Sequence, residues 1–158
     1  MAGKRTIALV PATAEHAWLV SRQMRAADVD EVMASGGFLP LTACAESVQA
    51  SREATAVLVD GAPRAIYGVC GDPGAQSTGV VWLLATAGFP WGLTAEFMAG
   101  ARAQVAVWLT EYRALANWVD ARNLPSIRWL RRLGACFGAP EPRGPQGRPF
   151  VPFCIGRM

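Results

Sequence analysis

Few residues of this chain have side chains that could move a proton, hold a metal or grip a phosphate. His16 is the one histidine. It falls in the first turn of an expected helix, just after Thr13, where a surface or helix-terminal role accounts for it. A Ser-His-Asp set would also need a nucleophile elbow, and none is present. Cys44, Cys70, Cys136 and Cys154 are far apart and form no CxxC pair, which argues against zinc and for reduced thiols. Cys70, Cys136 and Cys154 lie in apolar, strand-like runs, so core packing is their expected role. Asp28, Asp30 and Glu31 cluster at a helix start, where carboxylates meet the positive end of the helix dipole. No spaced second group turns them into a metal site. Asp120 to Asn123 is polar at the end of an expected strand and could line a cleft, with an Asp120–Arg122 pair or a helix cap as the structural alternative. No catalytic, cofactor-binding or metal-binding residue is assigned on these grounds.

The elements that must carry these residues follow from periodicity and punctuation. Strands are expected over 5–10, 55–59, 65–70, 80–86, 117–121, 136–139 and 150–155. Helices are expected over 14–27, from Asp28 to Gly36-Gly37, and over 40–52, 94–112 and 125–133. Asp60-Gly61 signals a hairpin, residues 72–78 read as a polar loop, and the Pro/Gly-rich stretch 141–149 reads as an exposed loop. In the last helix Asn123 sits at the N-cap and Pro125 in the first turn, and Ile127, Trp129, Leu130 and Leu133 form an apolar stripe that Gly134 ends. Arg128, Arg131 and Arg132 fall on its solvated faces.

Composition bounds the class. At 158 residues the chain is long enough for a sizeable core and is expected to form a single domain over residues 1–158. It is 52% hydrophobic and 17% charged, with six Trp, and some of that apolar surplus is expected at protein partners. The net charge of +3 is mild and dispersed, so no specific nucleic-acid partner is expected. The run from Ile7 to Val10 is stopped by Pro11, too short for a signal peptide, and no stretch approaches the ~20 apolar residues of a membrane span.

The segment from Trp118 to Gly134, read as strand, Asn, helix and Leu-Gly, resembles the C-terminal half of GNAT-superfamily acyltransferases. The order of elements extends that resemblance over the whole chain. It implies an α+β fold: a mixed, mostly antiparallel sheet flanked by helices. GNAT enzymes grip the pyrophosphate of acetyl-CoA after the fourth strand with a basic residue and glycines. Here residues 86–96 hold Gly88 and Gly92 but no Arg, Lys or Gln, and the next basic residue, Arg102, lies about 12 Å along the helix. The tyrosine that protonates the leaving thiolate in many members corresponds to Leu130, which cannot donate a proton. A narrower likeness, carried by Val119-Asp-Ala-Arg-Asn123 and Trp82-Leu-Leu-Ala-Thr86, is to small GNAT-like proteins of tailed phages labelled internal virion protein A-like.

These departures lead to the expectation of a catalytically silent, GNAT-like virion or assembly protein with no cofactor and no acetyl-CoA binding below the millimolar range. Its partners would be other phage head or tail proteins or copies of itself, and its place the virion or the host cytoplasm. Phe89 and Trp91, in the loop before the long helix, and Arg143 and Arg148, in the 141–149 stretch, are the expected partner contacts. The alternative is an active N-acyltransferase with a non-standard phosphate loop.

Overall fold

Local chemistry sets the helix ends in the computed structural model, which describes residues 4–72, 75–89 and 95–156. Strand β1 (Ile7–Pro11) leads into α1 (Ala14–Arg22). Thr13 Oγ1 accepts from the His16 backbone N–H at 3.3 Å, and His16 Nδ1 accepts from the Thr13 N–H at 3.2 Å. The lone histidine is thus half of a capping box that satisfies two orphan donors. Helix α1 ends earlier than expected. Residues 23–25 instead run beside the end of the fourth strand, with Met24 bridged to Thr86 and the Arg25 N–H donating to Ala85 O at 3.0 Å. Helix α2 (Ala26–Gly36) stops at Gly37, whose φ of 72° suits glycine. Helix α3 (Pro40–Ala50) starts on a proline whose missing N–H costs nothing there.

Strands β2 (Glu53–Val59), β3 (Ala62–Asp72) and β4 (Ala75–Ala85) form an antiparallel meander. Most of the expected 72–78 loop is strand, because ladder hydrogen bonds hold the backbone whatever the polarity of the side chains. The chain continues through α4 (Ala95–Glu111), β5 (Ala114–Asp120), α5 (Leu124–Arg132), β6 (Cys136–Phe137), β7 (Glu141–Arg143) and β8 (Arg148–Gly156). The expected 141–149 loop is also corrected. Arg143 pairs with Arg148 and Glu141 with Phe150, and Gly144 and Gly147 turn the hairpin at φ of 72° and 61°. The Pro/Gly content marks the turn and hides the strands on either side of it.

The sheet runs β1-β2-β3-β4-β5-β8-β6, with β7 also on β8. Among the described residues only β4 and β5 pair in parallel, so the sheet is mixed and mostly antiparallel as expected. One face packs α1, α2 and α3 through Val20, Val32, Cys44, Ile66 and Leu84. The other packs α4 through Val69, Trp108, Tyr112, Leu115 and Ile155. Helix α5 joins that second face through Trp129, whose ring lies 5.3 Å from Phe97. Burying a side chain of this size stabilises by about 1.5–3 kcal/mol. Cys44 is the buried thiol, whereas Cys136 is exposed and Cys70 and Cys154 are half-buried, so the expected core role fails for Cys136. Strand alternation turns Cys136 outward on the edge strand.

Candidate active site

Strands β4 and β5 are in register only at Thr78↔Ala114, Gly79↔Leu115 and Val80↔Ala116. Beyond Val80 the two strands run on to Ala85 and Asp120 without pairing, so they splay apart. A cavity of about 650 Å³ occupies the gap. It is lined from both faces of the sheet. Helix α4 contributes Gly100, Ala101 and Trp108, and α5 contributes Trp129 and Leu130; from the opposite face come Glu31 and Val32 of α2, and Phe150 of β8. Trp82, Trp108, Trp118 and Trp129 all line it. The tryptophan surplus expected at a partner surface is therefore largely cavity wall.

Across the splay lies a buried polar network that the sequence reading placed at a helix start and a strand end. Arg25 Nε donates to Asp28 Oδ2 at 2.8 Å, and its Nη2 donates to Asp28 Oδ1 at 2.6 Å, Asn123 Oδ1 at 3.1 Å and Ser126 Oγ at 2.7 Å. Asp28 Oδ2 also accepts from the Ala85 N–H at 2.9 Å, and its Oδ1 accepts from Asn123 Nδ2 at 3.3 Å. One buried carboxylate thus ties the end of β4 to the turn after β5, bridging the strands where their own ladder has stopped. Asn123 caps α5 as expected, its Oδ1 accepting from the Ser126 N–H at 3.4 Å. Its amide also donates to Glu31 Oε2.

Glu31 is half-buried on the cavity wall, and its Oε1 accepts from the Asp120 N–H at 3.3 Å. Burial pushes its carboxyl up to about 7, the nearby Asp28 and Asp120 charges push the same way, and the Asn123 and Asp120 hydrogen bonds only partly oppose them. Asp120 behaves differently. Burial would raise it, but Arg122 Nη2 at 2.7 Å, Arg122 Nε at 3.0 Å and the Arg122 N–H at 2.8 Å hold it below the usual carboxylate range. The expected Asp120–Arg122 pair is present. Glu31 was missed as a site residue because an acidic residue in a helix's first turns has a sufficient local explanation. The signal available in sequence was the second polar cluster at 120–123, which only the fold brings opposite it.

The expected lack of a basic residue in the loop after β4 stands, and a cation comes from elsewhere. The loop itself lacks one, but Arg64 on β3 reaches it: a Cβ at Gly88 would stand 3.2 Å from Arg64 Nη1, and the Thr86 N–H donates to Arg64 O at 2.8 Å. Thr86 Oγ1 is buried and has no hydrogen-bond partner among the described residues. Arg102 points elsewhere and donates to Arg132 O at 3.2 Å, fastening α4 to α5. Leu130 does line the cavity, at the place where the resemblance puts the proton donor.

The expected partner contacts separate. Phe89 is 3% exposed and packs edge-on against Phe97 at 5.8 Å, so its side chain is core and not surface. Its spacing after β4 returns it to the sheet. Trp91 lies outside the described residues. Arg143 is exposed at the cavity rim and stacks over Trp118 at 4.0 Å, while exposed Arg148 donates to Gln146 Oε1 at 3.4 Å. Among the described residues no group of His, Cys, Asp or Glu could hold a metal ion, and no helix is long and apolar enough to cross a membrane.

No family model and no curated protein sequence matches the chain. Solved structures do. An acetyltransferase of the GNAT family from Streptococcus pneumoniae superposes with a TM-score of 0.63 at 12% identity, over 95% of this chain and 98% of that one. A GNAT-family acetyltransferase from Bacillus anthracis gives 0.67 at 13%, over 94% and 93%. AAC(6')-Ib, solved in complex with ribostamycin and coenzyme A, gives 0.66 at 18%, over 96% and 94%. These neighbours overturn the expectation of a silent phage structural protein. All three of these structures are described as acetyltransferases, and one is held with ribostamycin and coenzyme A. The α+β architecture, with its one parallel pair splayed over a cavity, is the GNAT fold.

Proposed function

We propose that the chain is an N-acyltransferase that moves an acyl group from an acyl-coenzyme A to an amine. The observation that carries this reading is the cavity in the gap between β4 and β5, lined by residues from both faces of the sheet. Two substrates can then meet end to end within the sheet. The acyl donor takes the α4/α5 face, where Gly100 and Ala101 keep the helix wall low. Its phosphates meet the loop after β4, where Arg64 supplies positive charge and Gly88 leaves room for close approach. The residues present therefore fit the donor despite the departure of the loop from the usual pattern. Leu130 provides no acid, but a thiol with a pKa of about 8.5 leaves readily as thiolate and takes its proton from water. The coenzyme A complex of AAC(6')-Ib supports the reading through the shared fold.

Calorimetric titration with acetyl-CoA tests it. Saturable binding in the micromolar range is expected, and Arg64→Ala should weaken it about tenfold, or about 1.4 kcal/mol. Absence of saturable heat below the millimolar range would overturn the proposal.

A further inference from the structure

The face of the cavity away from α4 and α5 has its own chemistry. Val32, Phe38, Trp82, Trp118 and Phe150 line it, all apolar or aromatic. Its charges are few. Asp28 is neutralised by Arg25, and Glu46 and Arg143 are exposed. Glu31 alone is a half-buried carboxylate on this wall that forms no salt bridge among the described residues. It is also fixed in place. Oε1 is held by the Asp120 N–H and Oε2 by Asn123 Nδ2, and both of those groups are locked, Asp120 by Arg122 and Asn123 by Arg25 and Asp28. A carboxylate oxygen accepts two hydrogen bonds, so each retains a lone pair for a further donor.

Building on the acyltransferase reading, we propose that the acceptor is a primary amine on an apolar, aromatic-sized body, and that Glu31 takes the proton this amine must lose. The apolar wall holds the body of the acceptor, and the ammonium pairs with Glu31. The proton passes from nitrogen to Glu31, and the freed lone pair attacks the acyl carbonyl carbon. A C–N bond forms and the C–S bond breaks with its electrons going to sulfur. The second nitrogen proton goes to water, and the thiolate is protonated by water. Glu31 is suited to this by its environment. An alkylammonium ordinarily titrates near about 10. A base poised near neutrality accepts its proton more readily than an exposed carboxylate, and burial has raised Glu31 into that range. The groups facing it are Asp28 and Arg25 from the α2 side, Asp120 and Arg122 from β5 and its turn, with Asp30 beside Arg122 and Arg148 of β8 facing Asp120. A single limb, set by Glu31, is expected in the pH profile.

The test uses the full chain, acetyl-CoA as donor and phenethylamine as the acceptor probe, with the acetylated product measured by mass spectrometry. Wild-type kcat/KM should rise about tenfold per pH unit below pH 7 and level off above it. Glu31→Gln should lose 10²- to 10⁴-fold in kcat, roughly the range for removal of a general base, and lose the limb as well. Its acetyl-CoA affinity by calorimetry should stay within about twofold of wild type, which also shows that the variant is folded. Trp118→Ala should raise KM for phenethylamine with little change in kcat. A Glu31→Gln enzyme as active as wild type, or with the same limb, overturns the assignment while leaving the acyltransferase reading standing. Faster acetylation of the polycationic, sugar-like acceptor kanamycin than of phenethylamine overturns the apolar class. Failure of the wild-type protein to bind acetyl-CoA sinks the acyltransferase reading and this proposal with it.

Discussion

Glu31→Gln should change stability in a way that reverses sign with pH. In the fold the Glu31 carboxyl is raised from 4.5 to about 7, chiefly by burial. Between those two values the folded chain holds a proton that the unfolded chain has released, so stability falls as pH rises through the window. The stabilising effect is fully present below pH 4.5 and is gone above about 7. At about 1.4 kcal/mol per pH unit, the loss across the window is about 3 kcal/mol. Glutamine carries no charge and escapes this loss. It cannot keep both hydrogen bonds, however. Its oxygen can accept from either the Asp120 N–H or Asn123 Nδ2, and its NH₂ then faces the other donor. A lost hydrogen bond costs about 1 kcal/mol at every pH. The variant should thus be about 1 kcal/mol less stable than wild type at pH 4 and about 2 kcal/mol more stable at pH 8. Urea unfolding followed by tryptophan fluorescence measures both proteins across this range. A difference that stays flat from pH 4 to pH 8 refutes the reasoning. It would mean that the carboxyl is solvated as in the unfolded chain, and the acceptor proposal would lose its chemical basis.

Removing Arg25 should be far more costly. Arg25→Met leaves Asp28 buried at 2% exposure with its countercharge gone, and urea unfolding should show a loss of about 3–5 kcal/mol. Gly144→Ala should destabilise the chain by more than the usual 1–3 kcal/mol of a strained backbone position, roughly, because its Cβ would lie 1.8 Å from Ala34 O as well as at φ of 72°. A drop in the thermal midpoint of several degrees checks this. Of the thiols, exposed Cys136 should react rapidly with a disulfide reagent in the native protein. Buried Cys44, pushed up to about 12 by desolvation first and by Asp28 second, should react only on unfolding.

Much of the fold is legible in the chain because its elements end on residues whose chemistry is local. Thr13 caps one helix, Gly37 stops another, and Asn123 with Pro125 opens α5. The strand that reads least well, β7, is short and exposed throughout, so it carries no apolar alternation to announce it. Strand β5 starts three residues before the expected Asn117, at Ala114, because small Ala114 and Ala116 resemble neither a strand nor a loop by pattern. The break between α1 and α2 comes earlier than the expected 27/28 boundary for a tertiary reason: residues 23–25 give up helical hydrogen bonds for pairing with the end of β4.

The sequence by itself determined which elements form, and through them the GNAT-like order of strands and helices, because capping, turn chemistry and periodicity act over a few residues. It also recorded the lack of a basic residue in the loop after β4 and of a tyrosine at Leu130. It could not decide what those gaps mean. Arg64 lies more than twenty positions before Gly88, and only β3–β4 pairing lays its guanidinium against that glycine. Glu31 and Asn123 are 92 residues apart, and neither is unusual in its own segment. Burial is a property of the assembled chain, so a carboxyl titrating near 7 came into being only when α2 closed over the end of β5. Likewise the tryptophans could be counted in the sequence, but whether they faced a partner or a cavity depended on the splay of β4 from β5, a separation of backbones that no local pattern encodes.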